Sequence, residues 1–292
     1  MQSKTQDGGA WENYGQLGAG KERDACGEGK IDGILRNFRA ADGHVRTDLH
    51  VHSTFSDGDN DPETMVRAAI AEGMEVLGFS DHGYTDFDES YCIPRDRIGE
   101  YGKTIRELAA RYLGQIRILC GIEQDIDGGL PIGDYDYVIG SVHYVNPGQE
   151  YLPIDMNRDT FAFIVKEAYN GDPLAFAEDY YRKVARVVER THCDIIGHFD
   201  LVTKFNGNED FFRFDDPRYL KAAFAAIDAL LPYSRPFEIN TGAMSRGYRT
   251  DPYPHRILRD YIREKGGQFI LSSDSHNQRN LMNCFTDYEG EL

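Results

Sequence analysis

From residue 47 onward the chain alternates between two kinds of hydrophobic pattern. Short apolar runs rich in Ile, Val, Leu and Phe occupy residues 47–52, 75–80, 116–122, 137–142, 194–197, 237–240 and 268–273. Runs of this length and composition predict strands. Between them lie longer stretches, at about 62–73, 95–113, 159–169, 173–191, 217–231 and 254–265, whose apolar residues recur every three or four positions. That period predicts amphipathic helices, the first opened by Pro62 in a turn where a missing N–H costs nothing. Strand alternating with helix is the signature of parallel βαβ units.

Nearly every predicted strand runs at its carboxyl end into His, Asp or Glu. In parallel α/β architectures those ends share one rim, where sites are built. An open sheet would spread them along a line, whereas a ring of seven strands brings them to one centre, so a barrel is the expected fold. Sixteen residues follow His276, with no pattern for a final helix. The end therefore looks short for closing a barrel.

Residues 1–46 differ. They hold nine glycines and no helical or alternating apolar pattern, and are expected to form a poorly ordered extension, with residues 47–292 forming the domain. The seven basic and seven acidic residues of the extension cancel, so the whole net charge of −17 belongs to residues 47–292. Such acidity argues against a broad nucleic-acid or acidic-membrane surface. It leaves room for a short anionic substrate held by metal ions and one or two arginines, because bound divalent cations reverse the local field. Five scattered cysteines without a C-x-x-C pair (Cys26, Cys92, Cys120, Cys193, Cys284) predict free thiols and a reducing cytoplasm. No apolar run is long enough to span a membrane, and no signal-peptide core opens the chain.

The chemistry gathers at the strand ends. His50 and His52 alternate at i and i+2, so a strand sends both imidazoles to one face, and Asp57 follows in the next turn. His82, Glu123, His143, His198, Asp274 and His276 stand at the ends of the later strands. Six histidines and three carboxylates exceed the three or four protein ligands of a single catalytic zinc, so two or three divalent ions sharing a bridging carboxylate are expected. Mixed nitrogen and oxygen donors suit Zn, Mn or Fe. Such a cluster generates hydroxide near neutral pH and polarises a phosphoryl oxygen, which is the chemistry of phosphoester hydrolysis and also serves amide or ester hydrolysis. His44, His192 and His255 fall in the extension or at helix ends and are read as structural. Asp48 and Asp81, each just before a candidate ligand, either orient an imidazole or cap loop N–H groups.

The ordered set His50-x-His52, Ser80-Asp81-His82, Gly121-Ile122-Glu123, Ser141-Val142-His143, Gly197-His198-Phe199-Asp200 and Asp274-Ser275-His276 resembles the motifs of the polymerase and histidinol phosphatase (PHP) family. Lys204-Phe205, the run Glu238-Ile239-Asn240-Thr241, Arg246 and Tyr253-Pro254 resemble its monofunctional histidinol-phosphate phosphatases. The resemblance implies a distorted (β/α)7 barrel and a trinuclear centre. His50, His52, Glu123 and Asp274 would hold one metal. Glu123 would bridge to a second held by His143 and His198, and Asp57, His82 and His276 would hold the third. The implied activity is hydrolysis of L-histidinol phosphate to L-histidinol and phosphate, in histidine biosynthesis. Asp274, His276 or His198 would protonate the leaving alkoxide. Arg158, Lys204, Arg246 and Arg249 are the basic groups near the rim, and Arg246 is the first choice for gripping phosphate. The alternatives are another small phosphate ester, such as a nucleotide or sugar phosphate, or an inactive metal-binding module.

Overall fold

Among the described residues, seven of nine strands pair side by side in parallel and form one ring. The structure, a computed structural model, describes residues 43–148 and 150–292. The strands are β1 (Thr47–Asp48), β2 (Val76–Phe79), β3 (Arg117–Asp125), β4 (Tyr137–Ser141), β7 (Ile195–Ile196), β8 (Phe237–Asn240) and β9 (Phe269–Ser272), neighbours in that order. Two further strands, β5 (Tyr144–Val145) and β6 (Leu152–Pro153), make a small antiparallel hairpin outside the ring. Closure comes from a parallel bridge between Val51 and Ser275, in which His52 N–H donates to Ser275 O (2.9 Å) and Ser275 N–H to His50 O (3.1 Å). The last contact of the barrel is thus made by residues lying between the candidate ligands themselves. The sixteen residues after His276 add no strand to it; they carry a four-residue helix, Phe285–Tyr288, and a 3-10 turn, Glu289–Glu291.

The helices follow the predicted periods. α1 (Pro62–Ala71) starts at Asp61, whose side chain accepts from Thr64 N–H (3.1 Å), and buries Met65, Val66 and Ala69. α2 (Ile98–Arg111) precedes β3, α3 (Arg158–Ala168) precedes the 173–191 stretch, and α6 (Pro217–Leu230) and α8 (Arg256–Glu264) flank β8. That stretch, expected as one helix, is two, α4 (Pro173–Val184) and α5 (Val187–Thr191). The second ends where His192 adopts a left-handed conformation, φ 55°. A short helix, α7 (Gly242–Ser245), follows β8, and the four residues after Cys284 count as α9.

The predicted first strand, 47–52, is regular only over its first two residues, because polar groups from inside the ring take over. Tyr137 reaches across the barrel and donates its hydroxyl to Leu49 O (2.5 Å), with Phe79 O at 3.1 Å. Leu49, Leu119, Ile139, Ile195 and Ile270 pack around it to fill the barrel floor. Gly78 and Gly121 leave the space this ring occupies; a β-carbon at either would overlap Tyr137. Larger apolar layers lie between the ring and the surrounding helices.

The packed part of the chain begins before Thr47. Val45 is buried, His44 Nδ1 lies 2.8 Å from Glu289, and Arg46 donates to Gly73 O (3.2 Å). The remainder of the expected extension, residues 1–42, lies outside the described residues. Cys92, Cys120, Cys193 and Cys284 are unpaired, and no helix among the described residues is long and apolar enough to cross a membrane.

The floor packing generates a test. Gly121→Ala should lower the unfolding free energy by about 1–3 kcal/mol through overpacking against Tyr137, read as a lower urea midpoint at unchanged slope. Tyr137→Leu should cost less in that background than in the wild type, since the two changes act on one contact.

Candidate metal centre

The carboxyl ends of the strands are held at fixed depth by buried carboxylates that touch backbone, not imidazole. Asp48 accepts N–H bonds from His50 (3.3 Å), Ser273 (3.1 Å) and Met282 (3.2 Å), tying β1 to the end of β9. Burial nevertheless pushes its carboxyl up to about 6. Asp81 accepts from the N–H groups of Ser53 (2.8 Å) and Ser56 (3.1 Å) and from both serine hydroxyls, pinning the turn that carries Asp57. Gly58 completes that turn, because a β-carbon there would collide with the Ser53 backbone. Of the two roles open to Asp48 and Asp81, both fill the capping one.

On this frame all nine predicted ligands converge. They fall into four overlapping groups whose donor atoms lie within 4.8 Å of one another: His52, Asp57, His82 and His276; His50, His52 and Glu123; His50, His198 and Asp274; and His82, Glu123 and His143. The groups overlap instead of dividing the nine as the resemblance does: His198 joins His50 and Asp274, and His82 joins both Asp57 and Glu123. Glu123 stands at the centre. Its Oε1 lies 2.8 Å from His198 Nε2 and 3.4 Å from His143 Nε2. Its Oε2 lies 3.0 Å from His82 Nδ1, 3.2 Å from His50 Nε2 and 3.5 Å from His52 Nε2. Asp274 Oδ1 is 3.4 Å from His52 Nε2 and 3.7 Å from His50 Nε2. Asp57 Oδ2 reaches His276 Nε2 at 3.1 Å and His82 Nε2 at 3.6 Å. Asp274 is held at φ 49°, a region that few residues other than glycine occupy, and this turns its carboxylate into the mouth.

The donor set fits divalent cations. His50 Nε2, both ring nitrogens of His52, Glu123 Oε2 and His198 Nδ1 are buried without a hydrogen-bond partner. Buried polar atoms are almost always satisfied, so a concentration of unsatisfied lone pairs facing one another marks atoms shaped for ligation.

The electrostatics show the same demand for positive charge. Burial alone would raise Glu123, but His50, His82 and His143 hold it well below the usual carboxylate range. Asp274 is buried too, and Arg246 and His50 keep it ionised; burial of Asp57 is outweighed by His82 and His276. His52 goes the other way: burial, then His276 and His82, lower it to about 3, so its ring stays neutral with one nitrogen lone pair available.

Of the four basic candidates only Arg246 reaches this cluster. Its Nη2 contacts Asp274 Oδ2 (3.2 Å) and its Nη1 lies 3.2 Å from His276 Nδ1, with the side chain 29% exposed. Lys204 is paired with Asp155 (3.1 Å), and Arg158 with Asp210 (2.8 Å) and Phe205 O (2.9 Å). These two line a neighbouring cavity of about 240 Å³ with Asn157, Phe205 and Tyr248. Arg249 is buried, 3.5 Å from Asp200 and stacked over Tyr253, and serves the fold. His255 also serves the fold, lying parallel to Phe214 at 3.9 Å.

The sequence reading gave no role to three acids that the structure puts behind the cluster. Glu238 Oε1 contacts His50 Nδ1 at 2.7 Å, and its Oε2 accepts the His198 backbone N–H at 2.9 Å. Asp125 contacts His143 Nδ1 (3.2 Å) and accepts its N–H (2.9 Å). Asp155 sits beside His143, placed there by the hairpin and the bond from Ile154 N–H to His143 O (2.9 Å). Burial would raise it, but Lys204 and His143 lower it to about 2. The signal for Asp125 was available: it lies two residues from Glu123 on one strand, hence on the same face.

Comparison with known proteins agrees with this fold. The chain is 29% identical over 233 residues to the "probable histidinol-phosphatase" of Schizosaccharomyces pombe, covering 73% of this chain and 74% of that protein. Its fold matches the crystal structure of HisK from Listeria monocytogenes with a TM-score of 0.71, 18% identity and coverage of 83% and 99% of the two chains. It also matches histidinol phosphate phosphatase from Lactococcus lactis, crystallised with zinc, L-histidinol and phosphate, with a TM-score of 0.60, 20% identity and coverage of 84% and 92%. The family model described as PHP domain matches residues 48–242, from the end of β1, just before His50 and His52, to just past β8, which carries Glu238, and the chain belongs to the PHP domain family.

Proposed function

We propose that this protein is a metal-dependent phosphomonoesterase that hydrolyses L-histidinol phosphate to L-histidinol and phosphate. The observation that carries the reading is the buried Glu123 carboxylate, with five imidazole nitrogens within 3.5 Å of its two oxygens and unsatisfied lone pairs among them. Two or three divalent ions, Zn, Mn or Fe, would be held by His50, His52, Asp57, His82, Glu123, His143, His198, Asp274 and His276, with Glu123 shared between sites. Bound there, such ions polarise a phosphoryl oxygen and lower the pKa of water to near neutrality.

The chain's own residues do the remainder. Arg246 places two guanidinium nitrogens at the mouth and grips phosphate oxygens beside Asp274. Buried His50, His52 and His198 exclude bulk water from the reacting phosphorus. Asp57 and His276, with side chains 33% and 21% exposed, mark the side on which substrate enters. The departing alkoxide takes its proton from the rim; of the three candidates Asp274, His276 and His198, Asp274 is kept ionised by Arg246 and His50 and His198 is buried, which leaves the partly exposed His276 as the donor.

The substrate rests on three relatives: the fission yeast protein, the Lactococcus lactis enzyme with its bound L-histidinol and phosphate, and the Listeria fold match. The acidic rim suits a substrate whose amine and imidazole are cationic, and the net charge of −17 disfavours a nucleic-acid strand. The four described free cysteines suit a reducing cytoplasm.

Protein purified without added metal should contain two to three equivalents of transition metal by elemental analysis and release phosphate from histidinol phosphate in preference to a panel of nucleotide and sugar phosphates. A preference for another ester would replace the substrate; no turnover on any phosphoester despite full metal content would leave an inactive metal-binding module. Glu123→Gln should lose about 10³-fold or more in kcat/KM together with part of the bound metal. Arg246→Lys should lower kcat/KM for histidinol phosphate about 10- to 100-fold, since a point charge cannot replace a bidentate grip.

A further inference from the structure

Glu238, the second residue of β8, is buried beneath the cluster. Its two oxygens meet three nitrogens: His50 Nδ1 at 2.7 Å on Oε1, and the His198 backbone N–H at 2.9 Å with Asn240 Nδ2 at 3.1 Å on Oε2. The orientation of the Asn240 amide is settled from its other side, because Gly242 N–H donates to Asn240 Oδ1 at 2.9 Å. Asn240 Nδ2 is therefore a donor, and so is the His198 peptide. An ionised carboxylate can only accept. His50 must then carry its proton on Nδ1 and present Nε2 as a bare lone pair. Nε2 is the atom that faces Glu123 and Asp274, and it has no other partner.

We infer that Glu238 is a positioning residue that selects the Nδ1–H tautomer of His50 and, through the same carboxylate, sets the depth of His198, so that one acid inside the barrel, beneath the cluster, assembles the group His50, His198 and Asp274. This rests on the metal reading given above. The role depends on a carboxylate and not merely on a polar side chain of that size. A glutamine with its oxygen toward His50 would turn its NH2 against two donors. With the oxygen toward His198 and Asn240, its NH2 would face His50 Nδ1, which must then accept. The proton would move to Nε2, and an Nε2–H nitrogen has no lone pair for a metal ion. Backing partners of this kind change metal affinity by about 10- to 100-fold.

The test uses the full chain, stripped with chelator and titrated with Zn2+ against a chromophoric competitor, with 15N spectra of the imidazoles in the zinc-loaded state. Wild type should show His50 ligated through Nε2 with Nδ1 protonated. Glu238→Gln should bind one equivalent about 10- to 100-fold more weakly, leave the remaining zinc in place, and melt near wild type when metal-free. Glu238→Asp, which keeps two accepting oxygens, should recover part of that affinity. Wild-type ligation through Nδ1, or Glu238→Gln binding every equivalent as tightly as wild type, would overturn the inference. A lower metal-free melting temperature with unchanged zinc affinity would overturn it too, by reducing Glu238 to a structural role. Should Glu238→Gln not fold, the wild-type spectrum still decides. Wild type that binds no zinc would instead fail the metal reading.

Discussion

A single carboxylate, Glu123, faces five imidazoles across the mouth of a closed barrel. Each comes from the end of a different strand or from the two histidines that leave β1 together, so the site exists only when the ring is complete. Charge concentrated at that depth is expensive unless it is compensated. The histidine lone pairs and acidic oxygens cannot all satisfy one another, as the unpartnered nitrogens of His50, His52 and His198 show. The arrangement makes physical sense as one that cations complete.

Fold closure and site assembly are the same event. The bridge between Val51 and Ser275 lies between His50 and His52 on one side and Asp274 and His276 on the other. Asp48 reinforces it by holding N–H groups from both ends, and Tyr137 props the opposite side of β1 from within. Two of the acids that brace the site, Asp48 and Asp81, grip backbone, whereas Glu238 and Asp125 grip imidazoles. The centre is therefore supported by a second layer of carboxylates, which accounts for part of the acidity concentrated in residues 47–292.

The ring of strands and the nine converging residues were legible in the chain because both depend on local pattern. Apolar runs four to seven residues long gave the strands, and a His, Asp or Glu at or just after nearly every run marked the rim. The resemblance carried the order of the motifs further than spacing alone could. What escaped was whatever depends on partners distant in sequence. Glu238 meets His50 across 188 positions, and nothing around either residue announces the other. Lys204 and Arg158 read as free cations until Asp155 and Asp210 arrive from other loops to neutralise them. The shortened first strand escaped for the same reason, since the hydrogen bond from Tyr137 to Leu49 O is a tertiary fact; the break before α5 sits at Arg186, whose backbone (φ −113°, ψ 3°) leaves the helical region without a Gly or Pro to announce it.

The most direct measurement of the central claim is anomalous diffraction from crystals of the purified protein, collected on both sides of the zinc, iron and manganese edges. The account predicts two or three peaks inside the barrel mouth, at least one of them in contact with Glu123 and a histidine from each side of the ring closure. A mouth without anomalous density in metal-replete crystals, with Glu123 bonded to imidazoles alone, would contradict it.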